Sequence, residues 1–186
     1  FICLGALSIY LLTLTNINTM LVSILFAILI VIYPLTKRFF IGPQLFLGIT
    51  FNPTVIAYAI TEELSNPTMG YLFFAIASQT IAFDSFYGLC DEEDDRDLKI
   101  NSTPIWWGKN TLRIIACFQI CSILLLGTIG LIDKLELIWF ASLIMLGGFF
   151  LYQQKLASEK KYLEAFKNNH WANLLILITA ILCYVV

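Results

Sequence analysis

The segment Phe83-Asp84-Ser85-Phe86-Tyr87-Gly88-Leu89-Cys90-Asp91-Glu92-Glu93-Asp94-Asp95-Arg96-Asp97 gathers carboxylates in a chain that is otherwise apolar. It follows directly on the apolar run Met69 to Phe83, so the acids fall where a membrane span meets water. On a helix, at about 100° per residue, Asp84, Tyr87, Asp91 and Asp95 share one face. Asp84 lies about two turns inside the hydrophobic end, where an ionisable group is costly and solvation does not explain it. Asp91 and Asp95 stand one turn apart and can hold a hard cation between them. Mg²⁺ takes one or two carboxylates and fills its other positions with water and phosphate oxygens. The spacing therefore implies Mg²⁺ and a phosphorylated substrate at a membrane surface. Glu92, Glu93 and Asp97 read as solvated loop acids.

The elements that must position these residues are membrane helices. Hydrophobic residues make up 59% of the 186-residue chain and charged residues 13%, with a mean hydropathy of +0.83. Soluble domains carry about a quarter charged residues, so this composition excludes that class and predicts an all-α integral membrane protein. Apolar stretches recur at Phe1–Leu14, Met20–Leu35, Leu45–Ile60, Met69–Phe83, Ile114–Ile132, Leu137–Leu151 and Trp171–Val186. They predict one helix bundle over 1–186 with about seven spans, the first cut short. Phe1–Leu14 lacks the basic flank and small-residue cleavage site of a signal peptide.

Charge placement tests that topology. Lys37 and Arg38 follow the second span; Arg96, Lys99, Lys109 and Arg113 follow the fourth; Lys155, Lys160, Lys161 and Lys167 follow the sixth. Of the 11 basic residues only Lys134 lies in the alternate loops. The positive-inside rule makes the crowded side cytoplasmic, and the acidic segment shares it. Glu159 to Asn169 is polar with helical spacing and is expected to lie as an amphipathic helix on that interface. Trp106, Trp107 and Trp171 are placed as interfacial belt residues.

Other chemistries lack their residues. The cysteines Cys3, Cys90, Cys117, Cys121 and Cys183 form no CxxC pair, and Cys117 and Cys121 are expected to pack as small apolar groups. The lone His170 cannot build a zinc site and reads as a solvated flanking residue. No P-loop, GxSxG or HExxH is present, and no basic patch with interleaved aromatics points to nucleic acid.

Three blocks then carry a family resemblance. Asp84-x-x-Tyr87-x-x-x-Asp91-x-x-Asp94-Asp95, followed by Ser102-Thr103 and Gly108, resembles the second aspartate-rich motif of the UbiA superfamily of membrane prenyltransferases. Tyr33-Pro34-x-x-Lys37-Arg38 with Pro43-Gln44 and Leu47-Gly48 resembles the central loop of its 4-hydroxybenzoate polyprenyltransferase branch. Tyr152-Gln153-Gln154-Lys155 followed by Ala165-Phe166-x-Asn168-Asn169 resembles the last cytoplasmic segment of that branch. The family's first motif, of the form NDxxDxxxD, is absent, and the chain opens at Phe1 inside an apolar run. The resemblance thus implies the C-terminal part of a longer enzyme, inactive by itself. A second departure is Asn101, where members commonly have Lys before Ser-Thr.

The resemblance implies transfer of a polyprenyl group from polyprenyl diphosphate to a ring carbon of 4-hydroxybenzoate, in ubiquinone biosynthesis. Asp91 and Asp95 would be the catalytic Mg²⁺ ligands, with Lys37, Arg38, Asp84, Tyr87 and Asp94 contacting substrate. Lys37 and Arg38 equally suit topology anchors, and Tyr87 could orient a carboxylate or only cap the pocket. Ser102-Thr103-Pro104 is expected to stop the motif helix, since the residue before proline is driven out of the helical region. Ser102 or Thr103 could then cap the next turn or meet a phosphate. The location implied is a bacterial or mitochondrial inner membrane, with the acidic loop on the cytoplasmic or matrix side. Menaquinone, haem O and chlorophyll-type members are the alternatives within the superfamily. A transporter using Asp84 as its cation site is the alternative outside it. CDP-alcohol phosphotransferases are excluded by the lack of DGxxAR.

Overall fold

Hydrocarbon offers no water to backbone amides, so apolar segments must close their own hydrogen bonds as helices. The computed structural model describes residues 2–185, and among them every regular element is helical. In chain order these are α1 (Ile2–Thr13), α2 (Ile17–Phe39), α3 (Pro43–Thr50), α4 (Thr54–Ile60), α5 (Pro67–Cys90), α6 (Glu92–Asp97), α7 (Thr103–Trp107), α8 (Thr111–Ile132), α9 (Leu137–Ser158) and α10 (Tyr162–Tyr184). A 3₁₀ turn, Gly108–Asn110, joins α7 to α8. Four segments are long and apolar enough to cross a bilayer: Ile17–Phe39, Pro67–Cys90, Thr103–Ile132 and Leu137–Ser158. The remaining spans of the expected seven rest on α1, on the α3–α4 pair and on α10, which fall short of that measure.

The bundle is organised around α5. Asn66 caps its start by accepting the Thr68 N–H at 2.9 Å, and Pro67 follows in the first turn, where its missing N–H costs nothing. Half of the apolar window of α5 is buried, through Ala75, Ala77, Ser78, Ala82, Ser85 and Gly88 among others. Small residues let helices approach closely where lipid supplies no hydrophobic drive. α3 uses this: a Cβ on Gly48 would lie 2.9 Å from the Ala77 carbonyl oxygen of α5. α8 and α10 pack along the other sides of α5, and α9 closes against both. One core cluster centres on Leu126, Trp139, Leu146 and Phe150, and another on Phe86, Ile115, Leu156 and Ala165 nearer the acidic end.

Several expectations are corrected. Leu45–Ile60 is not one helix: it breaks at Phe51-Asn52-Pro53, because proline excludes its predecessor from the helical region. Asn52 holds the break together, buried, accepting the Thr54 N–H and donating to the Phe73 carbonyl of α5 at 2.8 Å. The polar segment 159–169 is not a separate interfacial helix; from Tyr162 it forms the first turns of α10, with Ala165 and Asn169 buried. Trp107 packs its ring on Phe118, centroids 5.9 Å apart, so it belongs to the core rather than to a belt. Cys117 and Cys121 are exposed on the outer face of α8 instead of packed. His170 is exposed as expected.

Candidate active site

Four chain segments meet at the acidic end: the last turn of α2, the start of α3, the end of α5 and the connection 98–104. The Lys37 carbonyl accepts the Asn101 N–H at 2.8 Å. The Gln44 Oε1 accepts the Thr103 N–H at 2.9 Å, and the Ser85 and Thr103 hydroxyls lie 2.8 Å apart. Pro43 begins α3 and sets the buried Gln44 in its first turn. Gly88 lets the connection lie against α5, since a Cβ there would sit 3.1 Å from the Pro104 ring and 3.2 Å from Gln44 Nε2. Ser85 was not singled out from sequence; Gln44 entered only within the Pro43-Gln44 block, and Thr103 only beside Ser102 as a cap or phosphate contact. The only signals were Pro43-Gln44 at a helix start and a lone Gly88 inside a helix.

The motif does not lie on one unbroken helix. α5 ends at Cys90, and Asp91 links it to α6 with φ −95° and ψ 3°. Glu92, Glu93, Asp94 and Asp95 fill the first turn of α6, where the helix dipole favours negative charge, and this starts a new helix. The Asp95 N–H still reaches the Asp91 carbonyl at 2.8 Å, so the two acids stay one turn apart as expected. α6 ends at Asp97, and Lys99 follows in the left-handed region at φ 54°. The motif helix therefore stops before Ser102-Thr103-Pro104, which instead opens α7.

The expected site residues divide into two groups. Lys37, Asp84, Asp91 and Asp95 come together: Lys37 and Asp91 both act electrostatically on Asp84 and on Asp95. Lys37, Asp84 and Asp91 are half-buried, and Asp95 is 6% exposed. Arg38 and Asp94 are exposed at the rim. Tyr87 sits beside the group on α5, its ring 5.2 Å from Phe166, which also meets Phe83 at 5.9 Å. Phe83 lines a cavity of about 340 Å³ between α5 and α10, together with Leu72, Gln79, Asn173 and Ile176.

Two polar atoms in this region are left over. Asp95 Oδ2 and Ser102 Oγ are buried and have no hydrogen-bond partner among the described residues. Burial pushes the Asp95 carboxyl above the ordinary carboxylate range. Lys37 pulls against that shift, Asp91 and Asp94 reinforce it, and the Ser102 hydroxyl, directed at the carboxylate, opposes it. Among the described residues no three His, Cys, Asp or Glu side chains converge on one point. The donors that could hold a hard cation are thus the Asp91–Asp95 pair, supplemented by other oxygens.

The third sequence block has a different place. Gln119 Nε2 donates to Gln153 Oε1 at 2.8 Å, Gln154 Nε2 donates to Gln119 Oε1 at 2.8 Å, and Gln153 Nε2 donates to Asn168 Oδ1 at 3.3 Å. These amides satisfy one another across α8, α9 and α10. They tie helices together inside the bundle.

Known proteins can now be set beside this geometry. The family model described as the UbiA prenyltransferase family matches residues 1–183. The chain is 36% identical over 170 residues to a 4-hydroxybenzoate octaprenyltransferase of Marinomonas sp. (strain MWYL1), covering 90% of this chain and 60% of that protein. It is 37% identical over 160 residues to the enzyme of that name from Shewanella sediminis (strain HAW-EB3), covering 84% and 56%. The chain thus spans about three fifths of the length of such curated relatives. Among solved structures, the apo structure of a UbiA homolog from Aeropyrum pernix K1 matches with a TM-score of 0.78 at 24% identity, over 91% of this chain and 66% of that one. The fold is that of the homolog, the matched family model covers nearly every residue, and the chain belongs to the UbiA prenyltransferase family.

Proposed function

We propose that this protein takes part in transferring a polyprenyl group from polyprenyl diphosphate to a ring carbon of 4-hydroxybenzoate, at the cytoplasmic or matrix face of an inner membrane. The observation that carries the reading is the partnerless Asp95 oxygen, buried beside Asp91 and within electrostatic reach of Lys37. A carboxylate turned inward with an empty lone pair suits a cationic ligand, and the donor set fits Mg²⁺ held by Asp91 and Asp95. When bound there, Mg²⁺ would supply Lewis-acid stabilisation of the charge that develops on a departing diphosphate.

The chain's own groups would do the rest. Lys37, whose carbonyl is tied to the Asn101 N–H, would bring a positive charge toward the departing diphosphate. Arg38, exposed at the rim, would steer the anion in. Asp84 would act on Lys37 through its charge from α5, and Asp94 would stand at the rim facing solvent. The rings of Tyr87, Phe166 and Phe83 lead from the acids toward the apolar cavity. A prenyl chain lying along them would keep water from its reactive carbon, and each ring face would favour allylic positive charge by about 1–2 kcal/mol when desolvated.

The test is prenyl transfer in membranes containing this chain together with the spans that carry the family's first aspartate motif, with radiolabelled 4-hydroxybenzoate and a prenyl diphosphate. Product should require Mg²⁺, vanish with EDTA, and vanish in Asp91→Asn and Asp95→Asn. Naphthoate, haem and chlorin acceptors offered in parallel should give none. Full turnover by well-folded Asp95→Asn would refute the metal assignment, and preference for another acceptor would refute the substrate.

A further inference from the structure

Ser102 is held on both sides, and the polar group its side chain faces is the Asp95 carboxyl. The Asn101 N–H is bound to Lys37 and the Thr103 N–H to Gln44, so the backbone around Ser102 is fixed to α2 and α3. The residue is 1% exposed, and among the described residues its hydroxyl closes no hydrogen bond of normal geometry. It also occupies the N-cap position of α7, where a serine oxygen ordinarily accepts a backbone N–H. Here it makes no such bond. The second partnerless oxygen of the region, Asp95 Oδ2, is its neighbour. Leaving a buried polar atom unsatisfied costs about 1–3 kcal/mol, so two at one place call for a common cause.

We infer that Ser102 Oγ is a direct ligand of the divalent cation held by Asp95, supplying the third protein oxygen that the acid pair lacks. This rests on the metal reading above and adds a residue to it. A single cation satisfies the lone pairs of both oxygens at once, whereas an anion would satisfy the serine and repel the aspartate. Among the described residues no third acidic, histidine or cysteine side chain converges on the pair, which leaves a position that a neutral protein oxygen can fill. A serine hydroxyl beside a carboxylate is hard, small and uncharged, which suits Mg²⁺, and phosphate-binding loops use a Ser or Thr hydroxyl on Mg²⁺ in the same way. The fixed backbone on either side of Ser102 limits the reorganisation that binding would demand.

The probe is Mn²⁺, titrated into the purified protein in detergent and followed by loss of the free-ion paramagnetic resonance signal. Ser102→Ala should weaken Mn²⁺ binding roughly ten-fold or more, since even outer-shell partners of a metal cost about 10- to 100-fold when removed. Ser122→Ala removes another buried partnerless serine oxygen, on α8, and should leave the titration unchanged. Ser102→Cys should shift preference from Mn²⁺ toward Cd²⁺, a change of selectivity that misfolding does not produce. Wild-type Mn²⁺ affinity in Ser102→Ala, or a Ser102→Cys protein with no shift toward Cd²⁺, overturns the inference. If Asp95→Asn loses Mn²⁺ while the Ser102 variants do not, only this inference falls. If the unmodified protein binds no Mn²⁺, the metal reading falls with it.

Discussion

The joint between Gln44 and Thr103 offers a sharp test of how the acidic end is held. Replacing Gln44 by Met keeps the length and volume of the side chain but removes the oxygen that accepts the Thr103 N–H at 2.9 Å. Thr103 is 0% exposed and Gln44 2%, so water cannot replace the lost acceptor while the segment stays in place. A buried donor left without a partner costs about 1–3 kcal/mol. The chain can relieve that cost by letting 98–104 lift from α3, which carries Ser102 away from Asp95. The closed arrangement would then lose roughly 5- to 150-fold in population, at a factor of ten per 1.4 kcal/mol. Prenyl transfer and Mn²⁺ affinity should both fall within that range, while the helix content and the unfolding of the bundle change little. Gly88→Ala pushes the same segment from the α5 side, with its Cβ 3.1 Å from Pro104, and should move both readouts in the same direction. Unchanged activity and unchanged Mn²⁺ binding in Gln44→Met would refute the idea that this bond positions the site.

Gln119→Leu should lower thermal stability in detergent without altering Mn²⁺ affinity, because its two amide bonds join α8 to α9 away from the acids. Membrane hydrogen bonds average about 0.6 kcal/mol each, so the expected loss is about 1 kcal/mol, read from the unfolding midpoint. Glu93→Cys should be labelled by an impermeant thiol reagent from the cytoplasmic or matrix side, and Lys134→Cys only from the opposite side. Labelling of both from one side would break the topology read from the basic residues.

What sequence could read was whatever depends on composition and local spacing. Membrane helices follow from long apolar runs, and the clustering of basic residues predicted which helix ends share a side. The Asp91–Asp95 spacing survived a break in the helix because one turn of backbone bonding spans the break. Tertiary choices were not legible. Asn52-Pro53 carried the signal to split Leu45–Ile60, but hydropathy averaging over the stretch hid it. The polar residues 159–169 looked interfacial because a single helix was weighed alone; packed against α9, Ala165 and Asn169 have a buried face to fill. Ser102 offered helix capping or a phosphate contact, and the geometry of α7 removes the first.

The distribution of satisfied and unsatisfied polar groups separates structural polarity from working polarity in this bundle. The deep amide and indole groups away from the acids have partners: Asn52 bonds α5, the Trp139 indole donates to the Leu126 carbonyl at 3.0 Å, and the Gln119, Gln153 and Gln154 amides bond one another. Each would be expensive to leave alone in a dry interior, and none is. The buried side-chain atoms without partners are Thr54 Oγ1, Asp95 Oδ2, Ser102 Oγ and Ser122 Oγ among the described residues. Two of these four are hydroxyls on separate helices, where a small group is cheap to strand. The other two are neighbours where the connection is held against α2, α3 and α5 and Lys37 acts on Asp95. Glutamine residues could have closed that pair as they closed the others. A chain that satisfies its amides elsewhere, yet leaves a carboxylate and a hydroxyl side by side here, fits the cation site proposed for that pair.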